Sequence, residues 1–318
     1  MQMKISNVLV GLTLSACLLV SCHDKPANGR TDTYSSGVIS FASDESFSPV
    51  IDEEKQVFEA VYPQAKVKPI YTSESDGINK LLNDSIWLTF ASRNFKASEL
   101  KNLQDRGFRP EAVKLAYDAL ALIVNKNNPD TLISVQDIKK IMTGKLTRWE
   151  QLPNSKKSGQ LTLVFDNNKS STVHFIEDSI LGGKPITSPN VVAVKKTAQV
   201  IKYVEQNPGS IGVIGNNWLD DKGDSTNLTF NSNISVMRVS KLWPATVANS
   251  RKPYQYYIYT GEYPLIRTLY ALVNDPHQGL PWGFAHFIES PKGQLIIMKA
   301  GLLPVYGNIN IRDVNVSE

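Results

Sequence analysis

Three hydroxyl side chains stand in a row at Ser170, Ser171 and Thr172, shortly after an apolar run that ends at Phe165. Ser46 and Phe47 precede one helix-like stretch, and Ser73 and Ser75 precede another. A hydroxyl at a helix start can cap it by accepting a backbone N–H, which stabilises the helix by about 0.5 to 2 kcal/mol. It can also join the unpaired N–H groups and the helix dipole in holding an anion. One cap needs one hydroxyl, so three in succession favour anion binding. Roughly five or six charge-assisted donors, at about 1.5 to 3 kcal/mol each, suffice for a micromolar site.

Other chemistries find less support. His174 follows Ser170 and Ser171, but a helix starting at Ser170 puts it one turn in, and no Gly-x-Ser-x-Gly elbow is present. His277 and His286 have no ligand-like partner at useful spacing, so neither a metal nor a cofactor is expected, and the chain does not read as an enzyme. Gly209, Gly212 and Gly215 lack both the P-loop lysine and the G-x-G-x-x-G spacing; a tight turn after Pro208 and backbone crowding account for them. Lys139-Lys140 and Lys195-Lys196 are isolated pairs on solvated faces, and no nucleic-acid partner is expected.

The elements that must position these groups alternate. Strand-like runs at Val38 to Ala42, Val67 to Tyr71 and Trp87 to Ala91 enclose helices from Ser48, a plausible N-cap before Pro49, and from Asp76 to Leu82. A second series has strands at Leu120 to Val124, Leu161 to Phe165, Val191 to Val194 and Ile211 to Ile214. Its helices run Val135 to Thr143, Ser170 to Ile180 and Ala198 to Asn207. Gln255 to Tyr259, rich in tyrosine, and Leu269 to Val273 read as strands before helices at Gly283 to Glu289 and Pro291 to Lys299, with Gly301 as C-cap. The fold class is α/β with largely parallel sheet. The chain has 318 residues, 42% hydrophobic and 20% charged, with a net charge of +4, which excludes disorder and collagen and suggests two lobes.

Lys4 precedes an apolar run from Val8 to Val20 that is too short to span a membrane and reads as a signal peptide over residues 1–21. The run ends Leu19-Val20-Ser21-Cys22, which resembles the lipobox of bacterial lipoproteins and implies acylation of Cys22. Cleavage there removes Cys17, the only other cysteine, so the folded body has no disulfide and no thiol chemistry. Residues 22–36 form a polar, flexible tether.

The order of motifs from Gly37 to Val305 resembles the phosphate-binding proteins of high-affinity phosphate ABC transporters, within the two-lobed periplasmic binding proteins. The resemblance rests on Ile138-Lys139-Lys140-Ile141-Met142-Thr143-Gly144-Lys145 with Trp149, and on Asn207-Pro208-Gly209-Ser210-Ile211-Gly212. Tyr263-Pro264-Leu265, Phe284-Ala285, Pro291-Lys292-Gly293-Gln294 and Gly301 to Pro304 complete it. It implies a type II-like fold whose lobes, residues 37–116 plus 250–318 and residues 117–249, each carry a mainly parallel sheet flanked by helices. Ligand would lie between them, on Ser46, Phe47, Ser75, Ser170, Ser171 and Thr172.

The charged positions differ from that family's pattern. Ala91-Ser92-Arg93 has arginine where the family has aspartate, and Asp166 stands at the family's arginine, with Asn168 at a nearby aspartate. The two charges are exchanged across the cleft. Arg93 would then neutralise the oxyanion while Asp166 or Asn168 accepts from its protonated oxygen; alternatively Arg93 and Asp166 form a salt bridge between lobes. The resemblance implies a lipid-anchored protein of the bacterial cell envelope, facing the periplasm or exterior, that captures phosphate and delivers it to the permease subunits of an ABC transporter. Another oxyanion or small anionic ligand, or an anchored scaffold or sensor without transport, is the alternative.

Overall fold

The computed structural model describes residues 29–219 and 233–306. The expected signal segment, residues 1–21, and Cys22 lie outside the described residues. The chain divides into two units at Thr31/Asp32, and the second contains every strand and helix described below.

That unit begins with β1 (Gly37–Asp44), a single 3-10 turn (Glu45–Phe47), α1 (Ser48–Val61), β2 (Ala65–Thr72), α2 (Glu74–Leu82), β3 (Leu88–Ala91) and α3 (Ala97–Asp105). A long strand, β4 (Glu111–Asn125), leads to β5 (Leu132–Ser134), α4 (Val135–Met142), β6 (Thr162–Phe165) and α5 (Ser171–Phe175), which continues as a π turn (Ile176–Ile180). Next come β7 (Val191–Ala193), α6 (Thr197–Gln206), β8 (Ser210–Gly215), β9 (Ile234–Val236), β10 (Arg238–Ser240) and β11 (Ser250–Arg251). The described chain ends with α7 (Gln255–Tyr259), β12 (Ile266–Val273), α8 (Leu280–Glu289), α9 (Pro291–Lys299) and β13 (Leu303–Pro304).

The main sheet runs β2-β1-β3-β12-β4-β8-β6-β7. Pairing is parallel from β1 to β2 and β3, and from β6 to β7 and β8. It is antiparallel through β12 and β4. β4 serves both halves: its residues up to Ala119 pair with β12, and Leu120 to Val124 pair with β8. Each half buries its own core. Phe41, Phe58, Phe90 and Phe284 pack ring against ring at 5.0 to 5.9 Å in the first, and Ile138, Met142, Trp149 and Phe165 lie in the second.

Most elements fall where periodicity puts them, with two corrections. Gln255–Tyr259 is a short helix, α7, and not a strand. β strand propensity loses there to local bonds and burial: the Ile258 and Thr260 amides close on the Tyr254 and Tyr256 carbonyls at 3.1 and 2.9 Å, and the turn buries Ile258. The N-cap of α1 is Phe47, not Ser48, because the 3-10 turn carries the chain into the helix one residue earlier. Asp32, in the stretch expected to be flexible, accepts the Leu280 N–H at 2.7 Å and so caps the start of α8. Gly212 is the crowded glycine: a Cβ there would lie 2.8 to 2.9 Å from Val200, Ile123 and Val204.

Candidate functional site

The carboxylate of Asp44, at the end of β1, is 1% exposed and gathers five donors. It accepts backbone N–H bonds from Ser46 at 3.1 Å, Glu74 at 3.0 Å and Ser171 at 3.0 Å. It accepts hydroxyl bonds from Ser46 at 2.5 Å and Ser171 at 2.8 Å. The three amides begin three separate helical segments: the 3-10 turn, α2 and α5. Each has unpaired N–H groups to offer an anion. Ser46 and Glu74 belong to the half of the sheet built on β1, and Ser171 follows β6 in the other half, so the seat is assembled across the cleft.

Arg267 backs this seat. Its guanidinium donates to Ser171 Oγ at 2.6 Å and to Ser46 Oγ at 3.0 Å, and pairs with Asp118 at 2.8 Å. An arginine only donates, so each serine oxygen accepts from Arg267 and turns its own proton toward Asp44. The ring of Phe47 lies 4.2 Å beneath the guanidinium carbon, a cation–π contact that completes its enclosure. Gly215 is constrained here as well: a Cβ would come within 2.8 Å of Arg267 Nη2 and 3.2 Å of the Ser46 carbonyl.

Of the three successive hydroxyls, only Ser171 reaches the seat. Ser170 caps α5 through the Val173 N–H and lies 2.8 Å from Asp166, and Thr172 donates to the same Asp166 oxygen at 2.6 Å. Burial and the nearby charge of Asp44 push the Asp166 carboxyl up to about 6. Asn168 is exposed. Arg93 is held elsewhere: it forms a two-pronged pair with Glu99 at 2.8 and 2.7 Å and donates to the Asn94 carbonyl. The Arg93–Asp166 salt bridge expected as an alternative is therefore not formed: Glu99, six residues on and at the start of α3, takes both prongs of the guanidinium.

Beside the seat, a second set of contacts crosses the cleft. His174 Nδ1 lies 2.8 Å from Glu74 Oε2, and its Nε2 is 3.4 Å from Ser75 Oγ. The hydrogen bond to Glu74 raises the His174 pKa despite partial burial. Burial pulls the Glu74 carboxyl up, but bonds from His174 and from the Ser92 N–H and hydroxyl hold it below the usual range. Glu45 accepts both the N–H and the hydroxyl of Thr197, at 2.9 and 2.7 Å, and Trp218 donates to the Ser46 carbonyl at 3.0 Å.

Sequence reasoning missed Asp44, Glu74, Asp118 and Arg267 as members of the site. A signal for two of them was present. Arg267 is the one charge in β12 and Asp118 directly precedes the apolar run Ala119 to Val124 of β4, and a charge in a buried strand must be paired. Asp44 and Glu74 stand in polar stretches where a carboxylate is unremarkable by type, and only the fold brings them to the hydroxyls.

The PBP superfamily domain matches residues 28–292. A phosphate-binding protein PstS of Borreliella burgdorferi is 23% identical over 308 residues, covering 94% of this chain and 98% of that protein. A PstS of Staphylococcus epidermidis is 22% identical over 219 residues, and the match spans about two thirds of its length, 66%. Among solved structures, a Clostridium perfringens protein described as a phosphate ABC transporter substrate-binding protein with bound phosphate aligns with TM-score 0.70 at 22% identity, over 85% of this chain and all of that one. An ABC-type phosphate transport receptor from Vibrio cholerae aligns with TM-score 0.62 at 19% identity, over 84% of this chain and all of that one. These likenesses establish the two-lobed fold, and with a family match across most of its length the chain belongs to the PBP superfamily.

Proposed function

We propose that this protein is an extracytoplasmic solute-binding lipoprotein that captures inorganic phosphate and delivers it to the permease of an ABC transporter. One observation carries the reading: three helix-start amides and two serine hydroxyls, drawn from both halves of the sheet and backed by Arg267, converge on a single pair of anionic oxygens. Such a convergence suits a small oxyanion and couples its binding to closure of the lobes, residues 37–116 plus 250–318 on residues 117–249. Ser46 and Ser171 supply the hydroxyls and Phe47 underlies Arg267, while Asp166 is the acceptor that reads a protonated oxygen. The names of the PstS relatives support phosphate as the anion.

The site binds rather than reacts. Ser75, His174 and Glu74 stand in the order of a nucleophile, a base and a carboxylate, but the Ser75 hydroxyl is 3.4 Å from His174 Nε2, beyond the reach of about 2.6 to 3.2 Å that a general base needs. No helix among the described residues is long and apolar enough to cross a membrane. Acylated Cys22 would hold the protein at the membrane and near its permease.

Thermal unfolding of the full chain in detergent, with phosphate, sulfate or molybdate at equal ionic strength, tests the reading. An anion that binds only the folded state adds about 4 kcal/mol at a thousandfold excess over Kd. A rise of several degrees with phosphate is expected. A rise with another anion alone would change the cargo, and no rise with any would leave the anchored scaffold or sensor.

A further inference from the structure

We propose that Asp44 is a built-in anion: its carboxylate occupies the oxyanion seat, latches the two lobes together without ligand, and sets affinity by competing with phosphate for the same donors. The inference rests on the phosphate-capture reading, and its experiment separates the two. Every donor that converges on the seat is already engaged by this one side chain: the amides of Ser46, Glu74 and Ser171 and the hydroxyls of Ser46 and Ser171. The carboxylate is buried, so no second anion shares the space. Its bonds reach Ser46 and Glu74 on one side of the cleft and Ser171 on the other, the contacts a bound oxyanion would make to close the lobes.

The tether is short. Asp44 ends β1, which is paired along its whole length with β2, so the carboxylate is presented from a fixed strand. A group held in place competes at an effective concentration of millimolar or more. Free phosphate must therefore displace it, and Asp44 must swing out of the seat as the anion enters. Three nearby carboxyls bear on the same exchange. Glu74 is paired with His174, Asp118 with Arg267, and Asp166 with Ser170 and Thr172, which leaves Asp44 as the carboxylate on the seat's donors.

The test is phosphate affinity of the full chain, measured by calorimetry at fixed pH and ionic strength, for wild type, Asp44→Gly and Asp44→Asn. Glycine empties the seat, and asparagine keeps its shape while removing the charge. Phosphate binding tightened at least tenfold in Asp44→Gly, with Asp44→Asn between, is expected. Phosphate should also restore thermal stability that Asp44→Gly loses in its absence. Binding by wild type and both variants within threefold of one another would overturn the latch while leaving phosphate capture intact. Binding by Asp44→Gly with none by wild type would uphold the latch and overturn capture. No phosphate binding by any of the three would overturn both.

Discussion

Arg267 and Asp118 face each other in register on β12 and β4, and their side chains form an ion pair at 2.8 Å that is essentially sealed from water. The pair sits at the point where β4 passes from one half of the sheet to the other, one residue before Ala119 and two before Leu120 meets β8. Its placement lets a strand residue from the sheet's centre orient two serines on opposite walls of the cleft. Removing one partner leaves the other charged in a dry interior, which costs about 3 to 5 kcal/mol. Arg267→Ala is expected to lose that much stability in urea denaturation and to abolish anion binding. Arg267→Lys, which keeps a charge but not the fork, should recover part of the stability and little of the affinity.

The His174–Glu74 pair makes stability depend on pH. The histidine's folded pKa is raised, so its contribution is fully present below its unfolded value near 6.5 and is lost as pH rises through the folded value. The glutamate's folded pKa is lowered, so its contribution is present above about 4.5 and is lost as pH falls through the folded value. The pair is strongest between those limits. Melting temperature of the wild type should therefore fall from pH 6 to pH 8 more steeply than that of His174→Phe, and equal slopes would remove the pair from the account.

The parts of this fold legible in the sequence are those set by local pattern. Val50, Ile51 and Phe58 mark one buried face of α1, and Ile138, Ile141 and Met142 do so for α4, so both helices lie where spacing puts them. The hydroxyls at Ser46 and Ser171 were legible for the same reason, because helix starts announce themselves. What was not legible depends on distant contacts. Arg93 carries the right charge for an oxyanion site, yet Glu99 in the next helix claims it. Arg267 is 221 residues from Ser46 and 96 from Ser171, and only the sheet order brings the three together. The tyrosines of α7 favour strands by type, and the helical bonds that bury Ile258 decide against it.

Asp166 offers a second pH signature with the opposite cause. Burial and Asp44 raise its carboxyl from 3.8 to about 6, so the folded state binds a proton more tightly than the unfolded chain. Stability from this group is greatest below pH 4 and declines as pH rises to about 6. Asp166→Asn, whose amide oxygen still accepts from Ser170 and Thr172, removes that decline. Its unfolding free energy should exceed the wild type's by about 1 to 3 kcal/mol at pH 7 and lose the advantage at pH 4. The same variant should bind phosphate and sulfate with more nearly equal affinity, because an amide can donate to either anion.

Arg93→Ala separates charge in the sequence from charge in the site. The Arg93 guanidinium holds Glu99, which also accepts the Lys96 N–H at the start of α3. The expected loss is local and about 1 kcal/mol, in keeping with a pair near the surface. Phosphate affinity measured by calorimetry should stay within threefold of wild type. A larger change would place Arg93 back among the groups that hold the anion.

Gly212 tests how closely the second half of the sheet is packed behind the site. It lies in β8, opposite Ile123 of β4, with Val200 and Val204 of α6 across its face. An added methyl would meet three carbon atoms at 2.8 to 2.9 Å, and none of the three belongs to a long side chain that can move away. Overpacking of this kind costs about 1 to 3 kcal/mol. Gly212→Ala is therefore expected to lower the urea midpoint by that amount. Because β8 ends at Gly215, against Arg267, the shift in α6 and β8 that relieves the clash should also weaken phosphate binding severalfold. Gly107→Ala, where no atom lies within 4 Å but the backbone φ is +85°, supplies the contrast: it should destabilise through its backbone alone and leave the affinity unchanged.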